Sequence, residues 1–288
     1  MSAARTAICV LVLAVLCLVV AAQGQGVAPA NTTSPWVELH AARVRLLAGP
    51  PVEKSAKSYL VGVETTLAEG WKTYWRTPGD AGVPPLFDWA GSTNVATIKV
   101  RYPAPQRMRE PGAETIGYTS AVIFPVEVTP SEPGKPVGLE LKLDFGVCRD
   151  ICIPAEAKLS LTLLPSQLLG DPSPALVAAL DRVPRPQGSR RSTDPELGRL
   201  TASLDGSTPR LSIDARFPRG GGGADVFVEA PEGLYVPQPK RLPDATDGIL
   251  RFEVDLSRGG NAQELRGKTL TLTLVSDAGA TEATWSVP

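Results

Sequence analysis

Between Lys57 and Leu67 the side chains sort onto two faces with a period of two, Tyr59, Val61, Val63, Thr65 and Leu67 sharing one of them. The stretch from Val137 to Phe145 is stricter: Val137, Leu139, Leu141, Leu143 and Phe145 face one way, and Gly138, Glu140, Lys142 and Asp144 the other. Ala157, Leu159, Leu161 and Leu163 then alternate with Lys158, Ser160 and Thr162. A strand that buries one face and wets the other shows this period, as in antiparallel sandwiches. Further strands are predicted at Trp36–Leu47, Trp71–Arg76, Val95–Tyr102 and Val122–Val128. Turn clusters such as Thr77-Pro78-Gly79-Asp80 and Glu132-Pro133-Gly134 separate them. The pattern predicts an all-β domain, an immunoglobulin-like sandwich, over residues 36–164.

Residues 165–199 break the pattern. They are rich in proline and arginine and hold one short helical stretch from Ser173 to Arg182, with Leu176, Val177 and Leu180 on one face. This segment is expected to be a linker that packs partly on its neighbours. Alternation resumes at Arg210–Phe217 and continues through Leu250, Phe252, Val254 and Leu256, then Leu270, Leu272 and Leu274, then Ala283, Trp285 and Val287. Residues 200–288 are therefore expected to form a second, smaller β domain. Gly220–Gly223 has no helix after it, so it reads as a turn and not as a phosphate cradle.

Composition narrows the chemistry. The length of 288 residues suits two domains, and 43% hydrophobic with 20% charged residues excludes wholesale disorder and a multi-span membrane protein. Lys plus Arg number 29 against 30 for Asp plus Glu, so no basic footprint for nucleic acid is present. His40 is the one histidine and Met108 the one methionine beyond the initiator, which leaves few soft metal ligands and nearly excludes histidine catalysis. No cofactor and no metal are expected. Gly and Pro, 27 and 28 residues, make up about a fifth of the chain and fit short strands joined by many turns.

Arg5 is followed by uncharged, mostly apolar residues from Ala7 to Ala22. This predicts a secretory signal over residues 1–22, with Val20 and Ala22 at the cleavage positions; a retained anchor is the rival. Cys9 and Cys17 would leave with it. Cys148 and Cys152 remain, in an exported and oxidising compartment.

The segment Phe145-Gly-Val-Cys-Arg-Asp-Ile-Cys-Ile-Pro154 joins the two clearest strands and places a Cys-x3-Cys at a hairpin tip. A structural disulfide, a metal pair and a reversible dithiol compete. Zinc would want further Cys or His ligands. In the chain-entropy model, closing a five-residue ring stabilises by only about 2 kcal/mol, against nearly 5 for a hundred residues. A bridge that ties a turn to itself is thus a weak staple. Cys148 continues the polar series Glu140, Lys142, Asp144, Gly146, so its sulfur is expected to point away from the core, and exposed disulfides tend to be the labile ones. Arg149 favours a thiolate and Asp150 opposes it. On these residues alone, redox exchange and a structural bridge stay open.

Two segments, Gly70-Trp-Lys-Thr-Tyr-Trp-Arg-Thr-Pro-Gly-Asp-Ala-Gly-Val-Pro-Pro85 and Phe145-Gly-Val-Cys-Arg-Asp-Ile-Cys-Ile-Pro-Ala-Glu156, resemble the amino-terminal periplasmic domain of the thiol:disulfide interchange protein DsbD. The branch with the suppressor-of-copper-sensitivity proteins is the nearest in pattern. The resemblance covers about Trp36 to Leu164. It implies an immunoglobulin-like fold and a periplasmic electron relay. Such a relay is fed by a thioredoxin-like domain and a membrane domain. It hands electrons to disulfide isomerases and to cytochrome c maturation reductases. It implies further that Cys148 and Cys152 are a redox-active disulfide, with Cys152 forming the mixed disulfides, and that Tyr74 lies close to the pair. The family's shielding cap loop aligns with Ala113-Glu-Thr-Ile-Gly-Tyr118, which places Glu114 and either Thr115 or Ile116 beside the active site, with Arg149 and Asp150 as further neighbours. Departures are visible. The family's acidic pair is reduced to Glu114, its capping Phe is absent, and its cysteines stand further apart in sequence.

No apolar run long enough to span a membrane follows residue 22, and no Cys-x2-Cys motif is present. The implied partners are therefore a separate membrane electron-transfer protein or thioredoxin-like donor, and periplasmic acceptors bearing disulfides. The alternative is a non-catalytic periplasmic interaction module in which the disulfide only rigidifies a loop. For Tyr74 and Trp75 the plainer expectation is core packing, and for Glu114 a solvated loop charge. Met108, His40 and two thiols make a poor copper site, so any link to copper tolerance would run through thiol chemistry.

Overall fold

The computed structural model describes residues 32–52, 57–110, 112–169, 171–246 and 248–288; the expected signal over 1–22 lies outside them. The amino-terminal half contains β1 (Val37–Glu38), β2 (Ala42–Gly49), β3 (Tyr59–Leu67), β4 (Lys72–Gly79), β5 (Leu86–Asp88), β6 (Val95–Val100), β7 (Gln106–Glu110), β8 (Ala113–Thr119), β9 (Ala121–Pro130), β10 (Val137–Cys148) and β11 (Cys152–Leu163). They form two sheets in the orders β1-β2-β3-β9-β6 and β11-β10-β4-β8-β7, with β5 also pairing with β10. Every pair in the two is antiparallel.

The alternation places the core. Val61 and Val63 of β3 and Phe124 and Val126 of β9 meet Leu139, Leu141, Leu143 and Phe145 of β10, all buried in one cluster. Edge-to-face aromatic contacts at 5.3–5.6 Å link Phe124 with Phe87, Tyr102 and Tyr118, a geometry that adds to plain burial. The strand expected over Trp36–Leu47 is interrupted around His40, where Leu39 N donates back to Ala42 O at 2.8 Å. Strands β5, β7 and β8 carry no alternation strong enough to predict them.

The carboxy-terminal half holds α1 (Pro174–Asp181), β12 (Arg185–Pro186), β13 (Glu196–Ser203), β14 (Arg210–Arg216), β15 (Asp225–Glu229), β16 (Lys240–Thr246), β17 (Ile249–Asp255), β18 (Thr269–Ser276) and β19 (Gly279–Ser286). Two four-stranded sheets result, β12-β19-β18-β15 and β13-β14-β17-β16, around Leu211, Ile213, Phe252, Val254, Leu270 and Leu272. Helix α1 seats Leu176 against Leu47 and Leu60 of the first sandwich. Ala179 completes its buried face, whereas Val177 is exposed. Gly62 makes room for it, since a Cβ there would stand 2.5 Å from Leu176 Cδ2. Strand β12 pairs in parallel with β19, so residues 165–199 serve both halves.

Phe227, Val275 and Ala280 of the second sandwich belong to the buried cluster of the first, and Phe227 packs on Trp75 at 5.8 Å between centroids. Two arginines cross the same seam. Arg76 donates to both carboxylate oxygens of Glu229, at 2.9 and 2.6 Å, and to Glu282 at 2.5 Å. Arg107 donates to both oxygens of Asp225 at 2.8 Å and to Glu114 at 2.8 Å, over the Phe227 ring. Burial pulls the affinity of both guanidiniums for their protons down, and the facing carboxylates more than reverse this. Planar two-point pairing of this kind fixes orientation as well as adding energy.

Arg107 has a side chain only 6% exposed. Arg107→Met would leave Asp225 partly buried without its cation, and should destabilise the chain by about 2–3 kcal/mol. Urea unfolding followed by tryptophan fluorescence reads this directly, because Trp75 lies at the seam; an unchanged midpoint would show that the pair is not stabilising.

Candidate functional site

Strands β10 and β11 pair without a break from Val137↔Leu163 to Cys148↔Cys152. That register sets the two cysteines directly opposite at the end of the ladder, where cross-strand side chains share a face. A disulfide joins them, and Arg149 N donates to Ile151 O at 3.1 Å to close the tip. Strand β11 is the sheet edge. Cys152 is exposed there, as is Ile151 beside it, whereas Cys148 is only 1% exposed.

The burial of Cys148 corrects the expectation that its sulfur points to solvent. The pleat persists, but this end of the polar face is roofed. Tyr74 of β4 lies across Gly146, where a Cβ would come within 3.3 Å of the Tyr74 ring and 3.1 Å of Val83 Cβ. On the ring's other side sits Gly82, with φ +132°, where a Cβ would be 2.5 Å from two ring carbons. Tyr74 is thus held between two glycines, in a slot that a larger residue at either would close. Its hydroxyl reaches Cys152 Sγ at 3.3 Å. A disulfide sulfur has no proton, so the tyrosine donates.

The roof is the segment 80–85 that follows β4. Asp80 anchors it: its backbone N donates to Glu114 O at 2.9 Å, Glu114 N donates to Asp80 Oδ2 at 3.0 Å, and the Tyr235 hydroxyl of the second sandwich donates to Asp80 Oδ1 at 3.1 Å. Burial, and after it the hydrogen bond to Asp80, raises the Tyr235 hydroxyl above the usual tyrosine range.

On the other flank of Cys148 stands Lys72, its Cα partner across β4. Lys72 is 6% exposed; Nζ donates to Thr115 Oγ1 at 3.4 Å and lies 5.9 Å from the centre of the Tyr74 ring.

The residues singled out from sequence divide. Tyr74 touches the pair. Arg149 and Asp150 occupy the tip and pair with each other at 2.9 Å, and Arg149 leans over Trp71 at 5.4 Å, so its charge is met by those neighbours. The stretch expected to be a cap loop, Ala113–Tyr118, lies within strand β8. Ile116 is buried in the sandwich core and Glu114 pairs with Arg107 and Arg109, at 2.8 and 3.4 Å. The residues that close on the Tyr74 ring and on Gly146 are instead Gly82 and Val83 of segment 80–85, which follows the register break in β4 between Tyr74 and Gly79. Trp75 packs in the core, as the plainer expectation had it. His40 stacks edge-on against Trp71 at 5.9 Å. Lys72 and the roof were missed. A lysine two residues before Tyr74 on the same strand face was the available signal for the first.

Gly82→Ala should force Tyr74 or the roof out of place and so open Cys148 to reagents. In the reduced chain, the alkylation rate of Cys148 should rise at least about fivefold, with the fold retained by circular dichroism, since φ at position 82 and the contact both oppose a side chain. An unchanged rate would mean that the roof does not govern access.

Residues 44–164 match the family model described as thiol:disulfide interchange protein DsbD, N-terminal. Residues 182–288 match a domain of unknown function. Among solved structures, the N-terminal periplasmic domain of ScsB from Proteus mirabilis aligns over 90% of this chain and 99% of its own, with 23% identity and a TM-score of 0.67. A chain titled BspA_C_WT aligns with a TM-score of 0.14 at 7% identity, too low to carry an argument. No curated protein shows a significant match. The ScsB likeness extends the shared fold across both sandwiches, and the match to the DsbD amino-terminal family lies within the first of them.

Proposed function

We propose that the chain is a periplasmic thiol–disulfide exchange module working through Cys148 and Cys152. In this reading a cleaved signal (1–22) precedes an exchange domain (36–164), a connecting segment (165–199) and a second β domain (200–288). The observation that carries it is the asymmetry of the two sulfurs: Cys152 is exposed on an edge strand with a hydroxyl at 3.3 Å, and Cys148 is sealed behind it. A bridge serving only as a staple has no need of this arrangement, and its five-residue ring adds only about 2 kcal/mol.

In the reduced chain the Cys152 thiolate attacks a partner disulfide. A mixed disulfide forms and one partner sulfur leaves as a thiolate. The Cys148 thiolate then attacks Cys152 Sγ, the internal bond re-forms, and the second partner sulfur departs with the electron pair. Two electrons pass to the partner for each bond closed. Exchange of this kind needs an accessible sulfur and a good leaving thiolate. The donor that reopens the bond is a separate membrane electron-transfer protein or a thioredoxin-like protein, and the acceptors are periplasmic proteins with disulfides. The Tyr74 hydroxyl stabilises charge on Cys152 as it forms.

Cys148→Ser removes the resolving sulfur and should trap Cys152 in a mixed disulfide with an oxidised thioredoxin-fold protein, resistant to dilution and released by dithiothreitol. Cys152→Ser should trap little. Equal trapping by both variants, or by neither, would favour the interaction-module alternative, in which the double Cys→Ser variant binds partners normally.

A further inference from the structure

Reduction of the pair raises a problem that the oxidised structure does not show. A disulfide carries no charge, but opening it from the Cys152 side leaves the electron pair on Cys148. Cys148 is 1% exposed, on the strand face where Tyr74 and Val83 of segment 80–85 close over Gly146. An anion placed there loses its water, and desolvation disfavours the charged form. A thiolate so disfavoured is a poor leaving group on opening and scarce as a nucleophile on closing.

One cationic residue, Lys72, is the cross-strand neighbour of Cys148 on β4, on the side of β10 away from Cys152. Lys72 is directly paired with Cys148, and opposed residues on neighbouring strands project to the same face with Cβ atoms roughly 4.5–5.5 Å apart. Its ammonium has Thr115 Oγ1 at 3.4 Å and the Tyr74 ring at 5.9 Å. Lysines are rarely buried to 6% exposure. We infer that Lys72 is the positioning cation for the Cys148 thiolate, holding positive charge beside the sulfur that receives the electron pair when the disulfide opens. This rests on the exchange reading above and assigns a division of labour within it: Tyr74 serves the exposed sulfur, Lys72 the sealed one.

The step balances without another reagent. An incoming thiolate bonds to Cys152 Sγ, the Cys148–Cys152 bond breaks, and its electron pair stays on Cys148 Sγ facing the Lys72 ammonium. A second thiolate then attacks the mixed disulfide, leaving both cysteines reduced and the two incoming sulfurs joined.

The test is the single-turnover opening of the disulfide in the full chain by dithiothreitol at pH 7.5, comparing wild type with Lys72→Met, Lys72→Gln and Lys72→Arg. Loss of the charge should slow opening at least about threefold, the effect of one unit in thiol acidity at a Brønsted slope near one half; Lys72→Arg should recover most of the rate. In a Cys152→Ser background, alkylation of Cys148, followed by peptide mass, should move to higher pH in Lys72→Met, with the thiolate fraction at pH 7.5 reduced about tenfold. A purely structural lysine would lower the melting temperature and leave that pH profile in place. Should Lys72→Met fail to fold, Lys72→Gln carries the same comparison. Opening within twofold of wild type together with an unmoved profile overturns the inference. A wild-type disulfide that dithiothreitol does not open overturns the exchange reading instead.

Discussion

The unbroken register of the β10–β11 hairpin is the constraint from which the site follows. Because the ladder runs without a bulge from Val137↔Leu163 to Cys148↔Cys152, the cysteines finish as an opposed pair at its end. The same register gives them unequal surroundings. Cys148 lies on the inner strand, flanked by β4, and Cys152 on the outer one, with no strand beyond it among the described residues. A slip of one residue would send both sulfurs to the core face. The regular leucines of the two strands, buried against β3 and β9, hold the register, so the packing of the sandwich and the geometry of its sulfurs have one cause.

What the sequence disclosed, and what it hid, follows from how each residue is buried. Strands with one wet and one dry face, such as β3, β10 and β11, announce themselves by period. Strand β7 does not: in Gln106-Arg107-Met108-Arg109 the arginine at 107 looks solvated, yet it is covered by a second sandwich that local pattern cannot foresee. Lys72 hides for the same reason. It reads as a solvent-facing position on an alternating strand, yet it is buried, with Thr115 and the Tyr74 ring near its ammonium. Cys148 shows the limit from the other side, since the period gives its face but not its exposure. The family alignment puts a cap in Ala113–Tyr118, whereas the Tyr74 ring is met by a Pro/Gly segment that reads as an ordinary turn.

The second sandwich is more than an appendage in this geometry. Its Phe227 extends the first core, its Asp225, Glu229 and Glu282 receive Arg107 and Arg76, and its Tyr235 holds Asp80 at the start of the roof. The roof is therefore fastened to both halves of the chain, and the cover over Cys148 depends on their staying together. Structural likeness to the ScsB amino-terminal domain across 90% of the chain fits a unit in which both sandwiches are retained.

The central claim, that this bond opens and closes in service, is tested most directly by equilibrating the full chain with glutathione buffers and counting free thiols by mass after alkylation. Reversible opening of the Cys148–Cys152 bond, with a midpoint above about −300 mV, is the predicted result, since structural disulfides in exported proteins typically lie below that value. A bond that stays closed across the whole glutathione range in the folded chain would contradict the account.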